Sequence, residues 1–115
     1  MKVSFEGIGQ WTATFACGSG VAEEQVVKVS GNGEVSPCAA GDKFCGVTIV
    51  TARDGGACAV ALGGMVRAAY SGESPAIGWN GLSADGNGGV KVDTAGREYL
   101  VVDVDPAGKM ITFAL

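Results

Sequence analysis

The sequence has 115 residues, enough for one domain but too few for two domains with independent cores. Its net charge of −4, the lack of a basic stripe and the absence of histidine argue against charge-driven nucleic-acid binding and remove the commonest general base and metal ligand. No apolar run approaches the roughly 18 residues of a transmembrane helix, which favours a soluble product made in the cytosol.

Alternating apolar and polar residues predict short β-strands along the whole chain. The pattern starts with Val3 and Phe5, continues in WTATFAC of residues 11–17, and returns around Val27 and in VVDVD of residues 101–105. Glycine-rich turns lie between the strands, at Gly31-Asn32-Gly33, Asp54-Gly55-Gly56, Asp85-Gly86-Asn87-Gly88-Gly89 and Asp105-Pro106-Ala107-Gly108. Together these features favour closely packed hairpins over amphipathic helices.

Two segments of the chain, residues 30–50 and residues 85–105, resemble each other at a constant offset of 55. Seven of the 21 aligned positions are identical: Gly31/Gly86, Asn32/Asn87, Gly33/Gly88, Val35/Val90, Ala40/Ala95, Gly41/Gly96 and Val47/Val102. Phe44 also meets Tyr99, and after a two-residue gap in the next turn Val60-Ala61-Leu62 meets Phe113-Ala114-Leu115. We therefore predict an internal duplication, against the alternative that hairpin turns alone repeat Gly-Asn-Gly.

The predicted fold class is all-β, a single small β-barrel or sandwich of short antiparallel strands, pseudo-duplicated, with an N-terminal arm. Residues 1–24 are assigned to the arm and its strands, which pack on the core or extend from it. Residues 25–115 form one β domain with repeat halves at about 25–62 and 80–115. Two facing halves would bury both valine-rich surfaces and close, or nearly close, the structure.

Residues with catalytic spacing are not found. Asp85 and Asn87 lack the Gly and Glu that a calcium loop requires further along, and the Gly-x-Gly segments lack the rest of a phosphate-binding loop. Asp103 and Asp105 share one side of a strand, with Asp93 near, but a solvated strand face explains them better. We predict that the protein is not an enzyme and binds neither a metal nor a cofactor.

The four cysteines, Cys17, Cys38, Cys45 and Cys58, contain no Cys-x-x-Cys pair. A zinc site would need all four thiolates from widely spaced loops. No secretory signal is evident, which favours reduced thiols. We predict four free cysteines that serve as small buried apolar residues.

The run from Val26 to Leu115 resembles a family of small bacteriophage capsid decoration, or cement, proteins, often described only as a domain of unknown function. The resembling stretches are VVKVSGNGEV, AAGDKFCGVTI, DGGACAVALGGMV, YSGESPAIGWNGLSADGNGGVKV and a final strand pair. The resemblance implies a structural β protein that binds the outer face of an assembled phage head and helps to hold the lattice together. It carries no catalytic residues to transfer.

The partners that this resemblance implies are the major capsid protein and further copies of the chain, as a trimer or dimer that matches local capsid symmetry. The protein would be made in the bacterial cytoplasm and located on the capsid surface of the virion. Its acidic charge suits a place outside the shell, away from packaged DNA. Neither nucleic acid nor a membrane is an expected partner.

Five large apolar residues are candidates for protein contacts. Phe5, Ile8 and Trp11 lie in a glycine-hinged segment near the start of the sequence. We expect this arm to add to a sheet edge on the capsid or on a neighbouring copy, with packing on its own barrel as the alternative. Tyr70 and Trp79 form a second candidate patch, for which core packing is the alternative.

Two other functions fit the same residues. One is a small β-barrel module that binds a peptide or a carbohydrate in a bacterial host. The other is a lipoyl-like or biotinyl-like carrier, since Lys109 follows a turn, although Gly108 stands where a biotin site has Met. A reading frame close to a major capsid gene would favour the decoration protein over both.

Overall fold

The computed structural model describes residues 10–53 and 55–115, which form ten β-strands and no helix. The strands are β1 (Trp11–Cys17), β2 (Val26–Gly31), β3 (Glu34–Pro37), β4 (Gly46–Thr51), β5 (Ala57–Gly63), β6 (Met65–Ala69), β7 (Gly78–Ala84), β8 (Val90–Val92), β9 (Arg97–Asp105) and β10 (Met110–Ala114). The prediction of an all-β fold is confirmed.

The first five strands form a closed barrel in the order β1-β3-β2-β4-β5. β1 closes it, because it pairs antiparallel with β5 and parallel with β3, the latter at Ala16↔Glu34 and Cys17↔Val35. The interior is built from small residues: Val27, Val35, Cys58 and Val60 are buried, with Phe15, Cys17, Val21, Cys45 and Leu62 around them. Side chains of this size suit the narrow bore of a barrel with so few strands.

The last five strands form a second sheet in the order β6-β10-β9-β7-β8. Its two outer strands meet at one point, where Tyr70 forms an isolated parallel bridge with Val90. There the N–H of Ser71 donates to the carbonyl of Val90 at 3.0 Å. The second sheet therefore curls until its edges touch, without forming a continuous ladder between them.

The two sheets share one connectivity. In the barrel, the first strand is followed around the sheet by the third, second, fourth and fifth. The second sheet has the same order when it is read from β6 across the Tyr70–Val90 bridge, as β6, β8, β7, β9 and β10. In both, the contact between the first and the third strand is parallel. Ala13 pairs with Val60 in the barrel, and Val66 pairs with Phe113 in the second sheet. Val66 lies 53 positions after Ala13, and Phe113 lies 53 positions after Val60, so the two pairs are equivalent.

The offset changes from 55 to 53 as predicted, but it does so before β4 and β9 and not in the turn after them. In the β2–β3 hairpin and its β7–β8 counterpart the offset is 55, as Val35 and Val90 show. Against the fifth strand, however, β4 and β9 each carry one extra residue, Ile49 and Val102, which are 53 positions apart. The predicted match of Val47 with Val102 is therefore wrong, because the loop before β9 is shorter than the loop before β4.

A larger core fills the space between the second sheet and the outside of the barrel. Phe44 from the barrel half stacks on Tyr99 with ring centroids 5.1 Å apart, and both rings meet Phe113 edge-on. The barrel also contributes Val26, Cys38, Val47 and Ala61, while the sheet supplies Val66, Ala68, Tyr70, Leu82, Ala84, Val90, Val101 and Ile111. The two halves therefore share this core.

The chain passes from the barrel into the second sheet through Gly64, which has a φ of 85°. Residues with a Cβ rarely adopt this conformation, so glycine permits the bend between β5 and β6. The carbonyl of Gly64 accepts the N–H of Leu115 at 2.9 Å, which ties the last residue of the sequence to the bend.

Candidate protein-interaction surface

The five predicted contact residues are not brought together. Phe5 and Ile8 lie outside the described residues. Trp79 and Trp11 are exposed, at 68% and 60% of their surface, whereas Tyr70 is only 5% exposed. The two exposed tryptophans belong to different strands, β7 and β1.

Tyr70 belongs to the core, as the core-packing alternative expected. Its side chain is therefore not available to a partner. Its N–H donates to the carbonyl of Lys109 at 3.0 Å, and it bridges to Val90. This position closes the second sheet and points the ring among the buried residues of that sheet.

Trp79 begins an apolar row that crosses four strands of the second sheet. Trp79 pairs with Leu100, Leu100's neighbour on β10 is Ala114, and Ala114 pairs with Met65. Directly paired residues project from the same face of a sheet, and here this is the outer face, because the adjacent residues Val66, Val101 and Phe113 are buried inside. We call Trp79, Leu100, Ala114 and Met65 the outer stripe.

Ile77 extends this apolar surface just before β7, with 66% of its surface exposed. The Asn80 amide donates to the carbonyls of Ala76 at 2.7 Å and Gly78 at 3.1 Å, which holds the backbone on both sides of Ile77.

Trp11 lies against the barrel with one face of its indole. A Cβ at Gly63, its partner on β5, would overlap the indole ring, so only glycine leaves room for it. The neighbouring Gln10 side chain donates from Nε2 to the carbonyl of Met65 at 3.0 Å. Trp11 therefore sits at the junction between the barrel and β6.

A groove of about 230 Å³ lies next to this junction, between β4 and β6. It is lined by Gln10, Glu24, Val47, Thr48, Ile49, Val66 and Arg67. Glu24 has a φ of 58°, which is unusual for a residue with a side chain, and its N–H donates to the carbonyl of Thr48 at 2.7 Å. The Thr48 Oγ1 is buried and has no hydrogen-bond partner among the described residues.

The acidic residues considered as a carboxylate cluster stabilise turns instead. Asp93 accepts hydrogen bonds from the Ser83 hydroxyl at 2.8 Å and from the N–H of Ala95 at 2.9 Å, and these bonds lower its pKa. Asp105 accepts the N–H of Gly108 at 3.2 Å. Asp85 likewise accepts two N–H groups of its own glycine turn. Hydrogen bonds of this kind are typical of Asx turns.

All four cysteines are free, two of them buried and two partly buried. Burial raises the pKa of Cys38 to about 11, and burial together with the neighbouring Cys17 thiol raises the pKa of Cys58 to about 12. Such thiols stay protonated at neutral pH and are poor nucleophiles and metal ligands. Within residues 10–53 and 55–115, no three His, Cys, Asp or Glu side chains are grouped so that they could hold a metal ion.

The sequence matches no protein-family model, and no curated protein matches it. The resemblance to capsid decoration proteins therefore stays a prediction from the sequence. A helix able to cross a membrane does not occur in the described part of the chain.

Proposed function

We propose that the protein is a structural, non-enzymatic virion protein that binds the outer face of an assembled phage capsid and stabilises it. Its partners would be the major capsid protein and, on the lattice, further copies of the chain as a dimer or trimer. The observation that carries this proposal is the outer stripe with Ile77, a large apolar surface held on a continuous β-sheet.

The outer stripe suits contact with another protein for two reasons. Trp79 and Ile77 are among the most exposed large apolar residues described, and burying such a side chain contributes about 1.5–3 kcal/mol. Tryptophan is also enriched among the residues that dominate binding energy at protein interfaces. Because many copies bind one lattice, modest affinity per copy is sufficient.

Charge supports the same orientation of the protein on a capsid. The net charge of −4 would be repelled by packaged DNA and is compatible with the outside of the shell. Glu98 lies two residues before Leu100 on β9 and shares its face, so a charged residue borders the apolar stripe. Protein interfaces are commonly arranged in this way.

The direct test is co-sedimentation with heads assembled from the major capsid protein of the genome that encodes this chain. We expect the protein to pellet with the heads, to saturate at a fixed number of copies, and to raise the temperature at which the heads disassemble. Lack of co-sedimentation at saturating protein, or a source genome without a capsid gene, would contradict the proposal.

The second candidate function, a module that binds an extended peptide, is favoured by the groove between β4 and β6. It combines apolar walls at Val47 and Val66 with polar groups at Glu24 and Arg67. Saturable binding of an immobilised peptide that is lost in Ile49→Asp, a change at an exposed position of the groove, would favour this function over the first if the parent protein does not bind capsids.

A further inference from the structure

Two cysteines of the barrel interior lie on the strands that close the barrel. Cys17 ends β1, Cys58 is the second residue of β5, and both belong to the valine-rich cluster inside the barrel. The strand register places Phe15 directly opposite Cys58. Cys17 lies two residues beyond Phe15, so its side chain projects from the same face of the sheet and is the diagonal neighbour of Cys58.

The two thiols are in contact inside the barrel. Opposite Cys17 stands Gly56, whose carbonyl accepts the Cys17 N–H at 3.3 Å, so no side chain at that position separates the two cysteines. Burial, and after it a hydrogen bond with the Cys17 thiol, raise the pKa of Cys58 to about 12. Proximity of the two sulfur atoms is the first requirement for a disulfide.

The other two cysteines are not placed to compete for this bond. Cys38 belongs to the core that the barrel shares with the second sheet. Cys45 packs against the barrel interior, but Val47, two residues after it, pairs with Ala61, which is already about 10 Å along β5 from Cys58. Cys45 lies further away still, whereas a disulfide needs Cα atoms within about 7 Å of each other.

Within the pair, Cys17 is the thiol that an oxidant from solvent meets first. Its side chain is only partly buried, whereas Cys58 is 2% exposed. Cys17 also stands at the end of its strand, next to the turn at residues 19–20. Exposure is one of the conditions that make a cysteine susceptible to oxidation, so the first step falls on Cys17.

We propose that Cys17 and Cys58 are a redox-active pair, which hydrogen peroxide converts into a disulfide that ties β1 to β5. The Cys17 sulfur attacks one peroxide oxygen, so the O–O bond breaks, a sulfenic acid forms, and the thiol proton leaves in a molecule of water. The Cys58 sulfur then attacks the Cys17 sulfur, the S–O bond breaks, and the departing hydroxide takes the Cys58 proton to give a second water. The two sulfurs lose two electrons and the peroxide gains them.

This bond would secure the strand that closes the barrel. In the described part of the chain, β1 pairs with β3 at two positions, Ala16↔Glu34 and Cys17↔Val35. A disulfide at Cys17 would fix the same end of β1 to β5, and it would close a loop of about 40 residues, which restricts the unfolded chain. The oxidised barrel should therefore be harder to open. This inference does not depend on the proposed function.

Peptide mapping without reductant, after the folded full chain is treated with hydrogen peroxide, tests the pair. We expect the peptides of Cys17 and Cys58 to be joined, with a mass about 2 Da below their sum, because two hydrogen atoms are lost. Cys45→Ser is the matched control, since it changes another cysteine that packs against the barrel interior, and it should form the same bond. A disulfide that includes Cys38 or Cys45, peptides joined between two chains, or four unchanged thiols would overturn the proposal.

Unfolding in urea tests whether the bond ties the folded barrel together. The midpoint should rise by about 1 M or more on oxidation of the parent protein and should return when dithiothreitol is added. Cys17→Ser should form no disulfide and should keep one midpoint before and after peroxide treatment, which accounts for oxidation at methionine. An unchanged or lower midpoint in the disulfide-linked parent would contradict the proposed tie between β1 and β5.

Discussion

The barrel and the second sheet repeat one strand order, yet only the barrel closes. Its interior holds valines and cysteines, while the interior of the second sheet holds the larger Tyr99, Phe113 and Leu82. Larger side chains need a wider enclosure, and the second sheet obtains it by leaving its edges joined at a single bridge and packing onto the flank of the barrel. The closed copy of this connectivity is therefore the one with the smaller fully buried side chains.

The outer faces of the two halves differ as well. The second sheet presents the outer stripe with Ile77 beside it, whereas the barrel exposes Trp11 on β1, Val29 on β2, and Ile49 and Val50 on β4. Scattered apolar residues are normal on protein surfaces, while a contiguous row indicates a contact surface. Under the proposed function, we expect the second sheet to carry the partner contact.

The largest expected effect is the loss of the aromatic cluster in the shared core. Phe113→Ala should lower the free energy of unfolding by about 3–5 kcal/mol, against about 2 kcal/mol for Val60→Ala in the barrel. Both side chains are fully buried, so the difference reflects size and packing. Urea denaturation should show one transition for each variant, since the halves share a core. Separate transitions for the two halves would contradict that shared core.

A smaller effect should follow from filling the close contact between β4 and β5. A Cβ at Gly46 would overlap the carbonyl oxygen of Ala61, so Gly46→Ala should destabilise the protein by about 1–3 kcal/mol. Gly31→Ala is the matched control, because the nearest atom to its added Cβ is 3.5 Å away, and its stability should stay within about 0.5 kcal/mol of the parent. Similar midpoints of thermal unfolding for the two variants would show that the barrel tolerates a wider spacing.

Thr48 allows a stabilising change to be tested. Its hydroxyl is buried and has no partner in the part of the chain that the structure describes, so Thr48→Val, which keeps the shape, should raise the free energy of unfolding by about 1 kcal/mol. Thr48→Ser keeps the hydroxyl and removes a methyl group, and should lower stability by about 1 kcal/mol. A loss of stability in Thr48→Val would mean that the hydroxyl does have a partner.

Thiol reactivity separates the buried cysteines from the partly buried ones. At pH 8 the native protein should leave Cys38 and Cys58 unmodified by a thiol reagent, because burial raises the pKa of both well above that pH. After denaturation all four thiols should react. Mass spectrometry of the modified peptides gives the count, and fewer than four reactive thiols would indicate a disulfide.

Local patterns could be predicted from the sequence because they depend on neighbouring residues. The β2–β3 hairpin follows from Gly31-Asn32-Gly33, and Gly33 has the positive φ of 67° that such a turn needs. The difference between Tyr70 and Trp79 could not be predicted, because both are aromatic residues in apolar segments. Only strand pairing, which joins residues far apart in sequence, turns one ring inward and the other outward.

The position and the lining of the groove between β4 and β6 could not be predicted for the same reason. They arise where the bend at Gly64 separates β6 from β5, and where β4 of the barrel half faces β6 of the other. The parallel contact of β1 with β3, which closes the barrel, also joins residues that no local pattern connects.

The most direct test of the assignment of binding to the second sheet compares two truncated side chains on capsids. Trp79→Ala should weaken the binding of the protein to assembled heads by about 30-fold, because interface tryptophans often contribute about 2 kcal/mol or more. Val29→Ala, which removes an exposed side chain from the barrel, should leave binding unchanged. Equal binding of the two folded variants would contradict the account.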